Sequence, residues 1–346
     1  MSSAENILSD HEWFPHEYDP NSDKLAFVRI ASAARKQLAF LADFRPLLDG
    51  DRIWLDADLV RSIRVQSPKV AFVFHSAFCR STLLIKALDE FDGVIGLSEP
   101  QIFNNLQAHS ADARAQSLIG PVLSLLGRPG PDASAVIVKP SNFANGLISR
   151  MLSSDAAGEA LLLYGSLRDF LVSIVKKGLQ GRIWARKQLL HNRQTIPIAL
   201  EMDERAYYEL TDLQTAALAW LLHLGQFHHL ARTGGDRIAT FQSTDFAQQP
   251  QAALEEIARF FQLDVDPTEA RTVAEGEIFS RHSKKGGDYS RISAQESRNA
   301  MSKVTEDEID QIVYWIDVIS AQLGITLPLS RKLHADQSRA GSRERQ

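Results

Sequence analysis

The chain has 346 residues, 44% apolar and 23% charged, with 43 acidic side chains against 38 Lys and Arg, a formal charge of −5 at neutral pH. That length buries a substantial core and that composition excludes disorder as the ground state, while the acidic balance excludes a general nucleic-acid binder, which needs an excess of phosphate-neutralising cations. A single cysteine, Cys79, excludes a disulfide framework and a Cys-rich metal site.

Residues 1–23 are polar with scattered aromatics and read as an ordered arm laid on the core or a partly loose lead. They lack the basic-then-apolar pattern of a secretory leader, and no apolar run approaches the ~20 residues that cross a bilayer, so a cytoplasmic location without a membrane span is expected. Apolar residues at helical spacing (Phe27, Ile30, Ala34, Leu38, Leu41) predict one or two packing helices within 25–48. Further on, short apolar runs alternate with helical stretches. The runs at 70–74, 94–97, 135–139, 161–164 and 237–241 predict strands. Helices are expected at 81–91, within part of 104–126, and at 143–153, 168–177, 212–233, 250–261 and 305–323. The last opens on a Thr-Glu-Asp-Glu cluster suited to a helix start. Crossovers of this length predict parallel strands and an α/β fold. The partition is an N-terminal arm with packing helices (1–66), an α/β domain (67–328) and a polar, basic, disordered tail (329–346).

The corner after the 70–74 run is the richest in chemistry. Ser76, Arg80, Ser81 and Thr82 supply hydroxyls and a cation, and helical periodicity begins at Leu83, Leu84, Ala87 and Leu88. Strand, tight turn and helix form the geometry in which helix-start N–H groups face a phosphate. It is not a Walker A loop, because Cys79 and Arg80 stand where Gly and Lys precede the hydroxyl residue. A hydroxyl-capped structural helix fits the same residues. Lys139 ends another apolar run, at the sheet edge where open α/β folds bind ligands; a lysine snorkelling to water fits there too. His223, His228 and His229 lack an HExxH pattern or a carboxylate at ligand spacing and read as part of a packing helix, so no metal is expected.

Taken in order, these segments resemble the sulfotransferase family that uses 3′-phosphoadenosine-5′-phosphosulfate, over roughly residues 70–315. Ser81-Thr82-Leu83-Leu84 falls on TTLL of the family's PRSGTTLL loop, and Leu83-Leu84 with Leu88 leads to Glu99 as the family's LLxxxL helix leads to a Glu. The run 136–138 ends in Lys139, as a family strand ends in Lys. Leu161 to Tyr164 enters a turn with Arg168, Asp169 and Ser173, similar to RDPRDVxxS. Asp245-Phe246, Pro250 and Phe260-Phe261-Gln262-Leu263 follow the later strand as the family's YEDL and FLgl segments do, and Lys284-Lys285-Gly286-Gly287-Asp288-Tyr289 resembles RKGxxGDW. Aligned without gaps, Phe78 stands where the family has Arg or Lys, Arg80 where it has Gly, and Gly165 where it has the first Arg of the second turn.

The resemblance implies a P-loop-type three-layer α/β/α fold with a mainly parallel central sheet. It implies 3′-phosphoadenosine-5′-phosphosulfate as co-substrate, no metal, and a small-molecule or carbohydrate acceptor. Ser76, Arg80, Ser81, Thr82 and Lys139 would hold the 5′-phosphosulfate, and Arg168 with Ser173 the 3′-phosphate. Lys284, Lys285 and Gly286, with Arg281, would close over the nucleotide; a solvated charge run is the other reading of this cluster. Glu99, Arg80 and Lys139 form the catalytic set, with Glu99 taking the proton of an acceptor hydroxyl or amine; a solvent-facing turn carboxylate is the other reading of Glu99. His75 and Arg80 are the local replacements for the cation absent at Phe78, and a hydrogen-bonded strand-end histidine is the other reading of His75. The N-terminal lead and residues 101–131 would wall the acceptor pocket. Two rival functions stay open. One is a phosphotransferase of P-loop fold, which would need Mg²⁺ and the missing Gly-Lys-Ser/Thr loop. The other is a catalytically lapsed binding protein, favoured by Phe78 and Gly165.

Overall fold

In the computed structural model, which describes residues 4–45, 51–63, 68–280 and 303–333, the strands form two sheets. β1 (Trp13–Asp19), β2 (Lys24–Arg29) and β3 (Arg52–Asp56) make an antiparallel sheet in the order β1-β2-β3. β4 (Val70–His75), β5 (Val94–Ser98), β6 (Ala135–Lys139), β7 (Ala157–Tyr164) and β8 (Ile238–Gln242) make a parallel sheet in the order β5-β6-β4-β7-β8, flanked by helices. This is the expected α/β architecture. The first strand in sequence is central, so the strand order reverses beside β4, the kind of position where such sheets bind ligands beyond their carboxyl ends. The chain divides into two compact units, Met1–Phe74 with Leu84–Ala160, and His75–Leu83 with Leu161–Gln346.

In the first unit, the five residues of β4 from Val70 to Phe74 are all buried, the mark of a parallel strand covered on both faces. β5 and β6 pair in register from Val94 opposite Ala135 to Ser98 opposite Lys139. Gly96 lets β5 pass close to the helix Ser81–Leu88: a Cβ there would lie 2.7 Å from the Ile85 carbonyl oxygen and 2.9 Å from the Asp89 Cβ. The N-terminal segment differs from expectation. Residues 24–29 are a strand, not part of a helix, and residues 4–23 contain a helix (Ala4–Ser9) and β1 rather than a plain arm. Four consecutive residues of β2, Leu25 to Val28, are fully buried, and a short apolar run covered on both faces carries no period that separates strand from helix. The true helix there is short, Ser32–Gln37. Arg128 anchors the lead: its buried guanidinium donates to the carbonyls of Ile7 (3.2 Å), Leu8 (2.7 Å) and Trp13 (2.6 Å).

The second unit is built on the helix Asp212–Thr233, opened by a capping box between Thr211 and Gln214 and buried along most of its length. The helix Gly178–Thr195 packs on it, unforeseen from the sequence. Their contact holds a polar chain: Gln188 Nε2 donates to Asn192 Oδ1 (2.7 Å), and Asn192 Nδ2 donates to the Ala219 carbonyl (3.0 Å) and lies 3.2 Å from His223 Nε2. His223 is therefore a packing residue, as expected. Burial, with a smaller contribution from His191, pushes its pKa from 6.5 down to about 3. The unfolded chain thus binds the extra proton first, so this group's contribution is complete above pH 6.5 and is lost as pH falls toward 3. About 2 kcal/mol should be gone by pH 5. Urea unfolding at pH 7 and pH 5 should show that His223→Gln flattens this slope; an unaltered slope would mean another group titrates.

Ser330 to Leu333, expected to begin a disordered tail, instead lie along β8: Thr240 N–H donates to the Arg331 carbonyl and Leu333 N–H to the Thr240 carbonyl, both at 3.0 Å. An edge strand offers such unpaired groups to any neighbouring segment, whatever its polarity. The rest of that tail lies outside the described residues. No described helix is long and apolar enough to cross a membrane.

Candidate functional site

Beyond β4 the chain makes a turn whose backbone is held in an unfavourable conformation. Ala77, Phe78 and Arg80 have φ of 66°, 49° and 59°, the left-handed region, and none is glycine. Each such residue costs roughly 1–2 kcal/mol, so the turn stores on the order of 3–6 kcal/mol. Several contacts within the second unit hold it. Ser76 N–H donates to the Leu163 carbonyl (3.1 Å), the Cys79 thiol reaches the same oxygen at 3.6 Å, and Ala77 N–H donates to His75 Nδ1 (3.2 Å). The last contact makes His75 Nδ1 an acceptor, so in the neutral ring the proton sits on Nε2.

A turn that leads straight into a helix start is a place where backbone N–H groups suit an anion. Ser81 then opens the helix Ser81–Leu88, and Ser81 and Thr82 are both buried. The Ser76 hydroxyl is fully buried with no hydrogen-bond partner among the described residues. An orphaned hydroxyl of that kind costs about 1–3 kcal/mol, beside a strained turn.

Phe78, where a cation was the family's choice, joins an aromatic cluster: its ring centroid is 4.9 Å from that of Trp184 and 5.5 Å from that of Phe170. The Lys177 ammonium stands 5.5 Å from the Phe78 ring centroid. A cation thus approaches the turn from the end of the helix Leu167–Lys176, a residue that sequence reasoning did not single out. A lysine eleven positions after Ser166 carries no motif; only the fold brings it to Phe78. Gly165 packs against the same turn, its virtual Cβ 3.6 Å from the Cys79 Cβ, and its carbonyl accepts from Trp220 Nε1 (3.1 Å).

The predicted second phosphate position is differently arranged. Ser166 caps the helix Leu167–Lys176 by accepting from Asp169 N–H (3.1 Å), which puts Arg168 in the first turn. Arg168 forms an ion pair with Asp310 and remains 47% exposed. Ser173 is not at the helix start: it lies a turn and a half in, and its hydroxyl donates to the Asp169 carbonyl (2.8 Å), the usual back-bond of a mid-helix serine. Lys284, Lys285, Gly286 and Arg281 lie outside the described residues.

The first unit holds the other two candidates together. Lys139 ends β6 with no exposed side-chain surface, and its Nζ donates to Glu99 Oε1 at 2.5 Å. The backbone reinforces the pair, since Glu99 N–H donates to the Lys139 carbonyl (2.7 Å) and Ala42 N–H to the Glu99 carbonyl (3.2 Å). Glu99 itself has φ of 50°, again the left-handed region, and keeps 20% of its side chain in solvent. The Lys139 ammonium also lies 5.5 Å from the Phe40 ring centroid. Lys139 is therefore not a snorkelling lysine; it orients a carboxylate. Among the described residues no group of three or more His, Cys, Asp or Glu could hold a metal ion.

The sequence matches no protein-family model and no curated protein. Solved structures similar to the chain include sulfotransferases. The sulfotransferase domain from the curacin biosynthetic pathway is 14% identical with a TM-score of 0.45, over 75% of this chain and 99% of that one. The sulfotransferase domain of the Synechococcus PCC 7002 olefin synthase is 13% identical with a TM-score of 0.40, over 74% and 97%. Retinol dehydratase, solved with androsterone and the inactive cofactor PAP, is 13% identical with a TM-score of 0.37, over 78% and 85%.

Proposed function

We propose that this chain is a sulfotransferase that moves a sulfonate group from 3′-phosphoadenosine-5′-phosphosulfate to a hydroxyl or amine of a small-molecule or carbohydrate acceptor. One observation carries the reading: the turn after β4 holds Ala77, Phe78 and Arg80 in strained backbone and buries a Ser76 hydroxyl that has no partner among the described residues. Strain of this kind clusters at functional sites, and an anion held at the turn would satisfy the Ser76 hydroxyl.

In this reading Ser76, Ser81 and Thr82 meet the phosphosulfate, and Arg80 and Lys177 supply its positive charge. Arg168 exchanges Asp310 for the 3′-phosphate, a swap that costs little because an exposed ion pair is worth about 0–1 kcal/mol. Ser173, to take part, gives up its bond to the Asp169 carbonyl. Lys284, Lys285 and Gly286 close over the nucleotide. The acceptor oxygen or nitrogen attacks sulfur as the bridging S–O bond breaks, its proton passes to Glu99, and the leaving bisphosphate keeps the electron pair. Lys139 positions Glu99. Positioning and charge stabilisation supply most of the rate.

Calorimetric titration with 3′,5′-adenosine bisphosphate tests the reading. Saturable one-to-one binding is expected, weakened about tenfold or more in Lys177→Met if the ammonium meets a phosphate. Heat from ATP–Mg²⁺ but none from the bisphosphate would turn the case to a phosphotransferase. Silence toward both would favour a lapsed binding module.

A further inference from the structure

The helix Gly178–Thr195 carries four cations, Arg182, Arg186, Lys187 and Arg193, and no acidic side chain, in a protein with a net charge of −5. Its outward face is also apolar. Leu179, Ile183 and Leu190 are 69%, 39% and 57% exposed. Steps of four and seven residues put these three on one line of a helix, with the cations on either side of it. Exposed large aliphatics singly need no explanation; a row flanked by cations does. Arg182 and Arg186 lie 3.7 and 2.8 Å from Asp212 yet stay half exposed, so that carboxylate offsets only part of the charge.

We propose that this face docks the protein on an anionic lipid surface. The pattern suits it: aliphatic side chains enter the acyl boundary while long cationic chains reach up to the phosphates. Charge argues against the chain's two longest remaining segments as the occupant. Residues 281–302 hold five Lys and Arg against two acidic residues, and residues 334–346 three against two, so both share the sign of the helix. The core of a protein partner's site would favour aromatics over a bare aliphatic row. The inference is independent of sulfonate transfer.

Co-sedimentation of the full chain with phosphatidylcholine vesicles, with and without phosphatidylserine, tests it. Binding to the anionic vesicles alone is expected, and it should fade with added salt. Lys187→Glu, and separately the triple change Leu179→Gln, Ile183→Gln, Leu190→Gln, should each lower partitioning by about tenfold or more. Both sets of positions are exposed, so the thermal midpoint should hold. No sedimentation of the wild-type chain, equal binding to neutral vesicles, or undiminished binding by both variants overturns the proposal. So does a wild-type dimer on sizing that the triple variant splits, because a second copy would then own the face.

Discussion

Glu99→Gln lowers turnover by about 10²–10⁴-fold, the range for loss of a positioned general base, and leaves affinity for 3′,5′-adenosine bisphosphate unchanged. The substitution keeps shape and an acceptor oxygen but removes the charge opposite Lys139, which has no exposed side-chain surface. A buried ammonium deprived of its partner is costly. Breaking such pairs typically loses about 3–5 kcal/mol, and the lower end applies because Glu99 retains a fifth of its side chain in solvent. Stability and catalysis can be separated. Lys139→Met with Glu99→Gln removes the lone charge, so the double variant should unfold at higher urea than Glu99→Gln alone, yet remain as slow. The cycle measures the coupling directly. Turnover retained in Glu99→Gln would remove Glu99 from the chemistry, whereas loss of bisphosphate binding in the same variant would mean the carboxylate serves the donor instead.

The central sheet was legible because its strands are short apolar runs closed by chemistry. β4 and β6 end on His75 and Lys139, and β5 ends at Ser98 before Glu99 and Pro100. β7 began four residues earlier than its apolar run, at Ala157, because Gly158 and Glu159 interrupt the pattern without interrupting the ladder. What the sequence concealed has a physical reason in each case. β1 carries a register shift between Pro15 and Glu17, which breaks the two-residue alternation by which a strand is read. The helix Gly178–Thr195 starts on a glycine, and its buried face mixes Gln188 and Asn192 with Gly181, Ala185 and Leu189; those polar groups bond to each other and to Ala219, a partnership that appears only once the helices meet. In the loop, the residue types were visible and the strain was not. Left-handed backbone is foretold by glycine, and Ala77, Phe78 and Arg80 gave no such sign. Phe78 read as a lost cation; the fold brings Lys177 to its ring instead. Ser173 matched a motif by spacing, but helical geometry had already committed its hydroxyl to Asp169.

The second large effect is expected at a buried pair that no motif announces. Arg35 Nη1 donates to Asp89 Oδ1 (2.7 Å) and to the Gly96 carbonyl (2.9 Å), and Asp89 Oδ1 accepts from Gly96 N–H (2.7 Å). Three segments distant in sequence, the helix Ser32–Gln37, the end of the helix Ser81–Leu88 and β5, meet on this triangle. Burial raises the Asp89 pKa, and the charge and hydrogen bonds of Arg35 and Gly96 only partly offset it. A carboxylate whose folded value lies above its unfolded value binds protons better in the fold, so stability falls as pH rises through that interval. Keeping Asp89 ionised in the fold is thus harder than in the unfolded chain. Asp89→Ala leaves Arg35 buried without its counter-charge and the Gly96 N–H unpaired, and should lose about 3–5 kcal/mol; Arg35→Met should lose a similar amount. Replacing both, Arg35→Met with Asp89→Leu, removes the two charges together and should be more stable than either single variant, by denaturant midpoint. Additive losses would show that the two side chains act separately. Because Gly96 lies on β5, which leads directly into Glu99, the Asp89→Ala chain should also lose turnover beyond its unfolded fraction. Gly96→Ala should reproduce that loss by pressing a Cβ against the Ile85 carbonyl at 2.7 Å, without touching either charge.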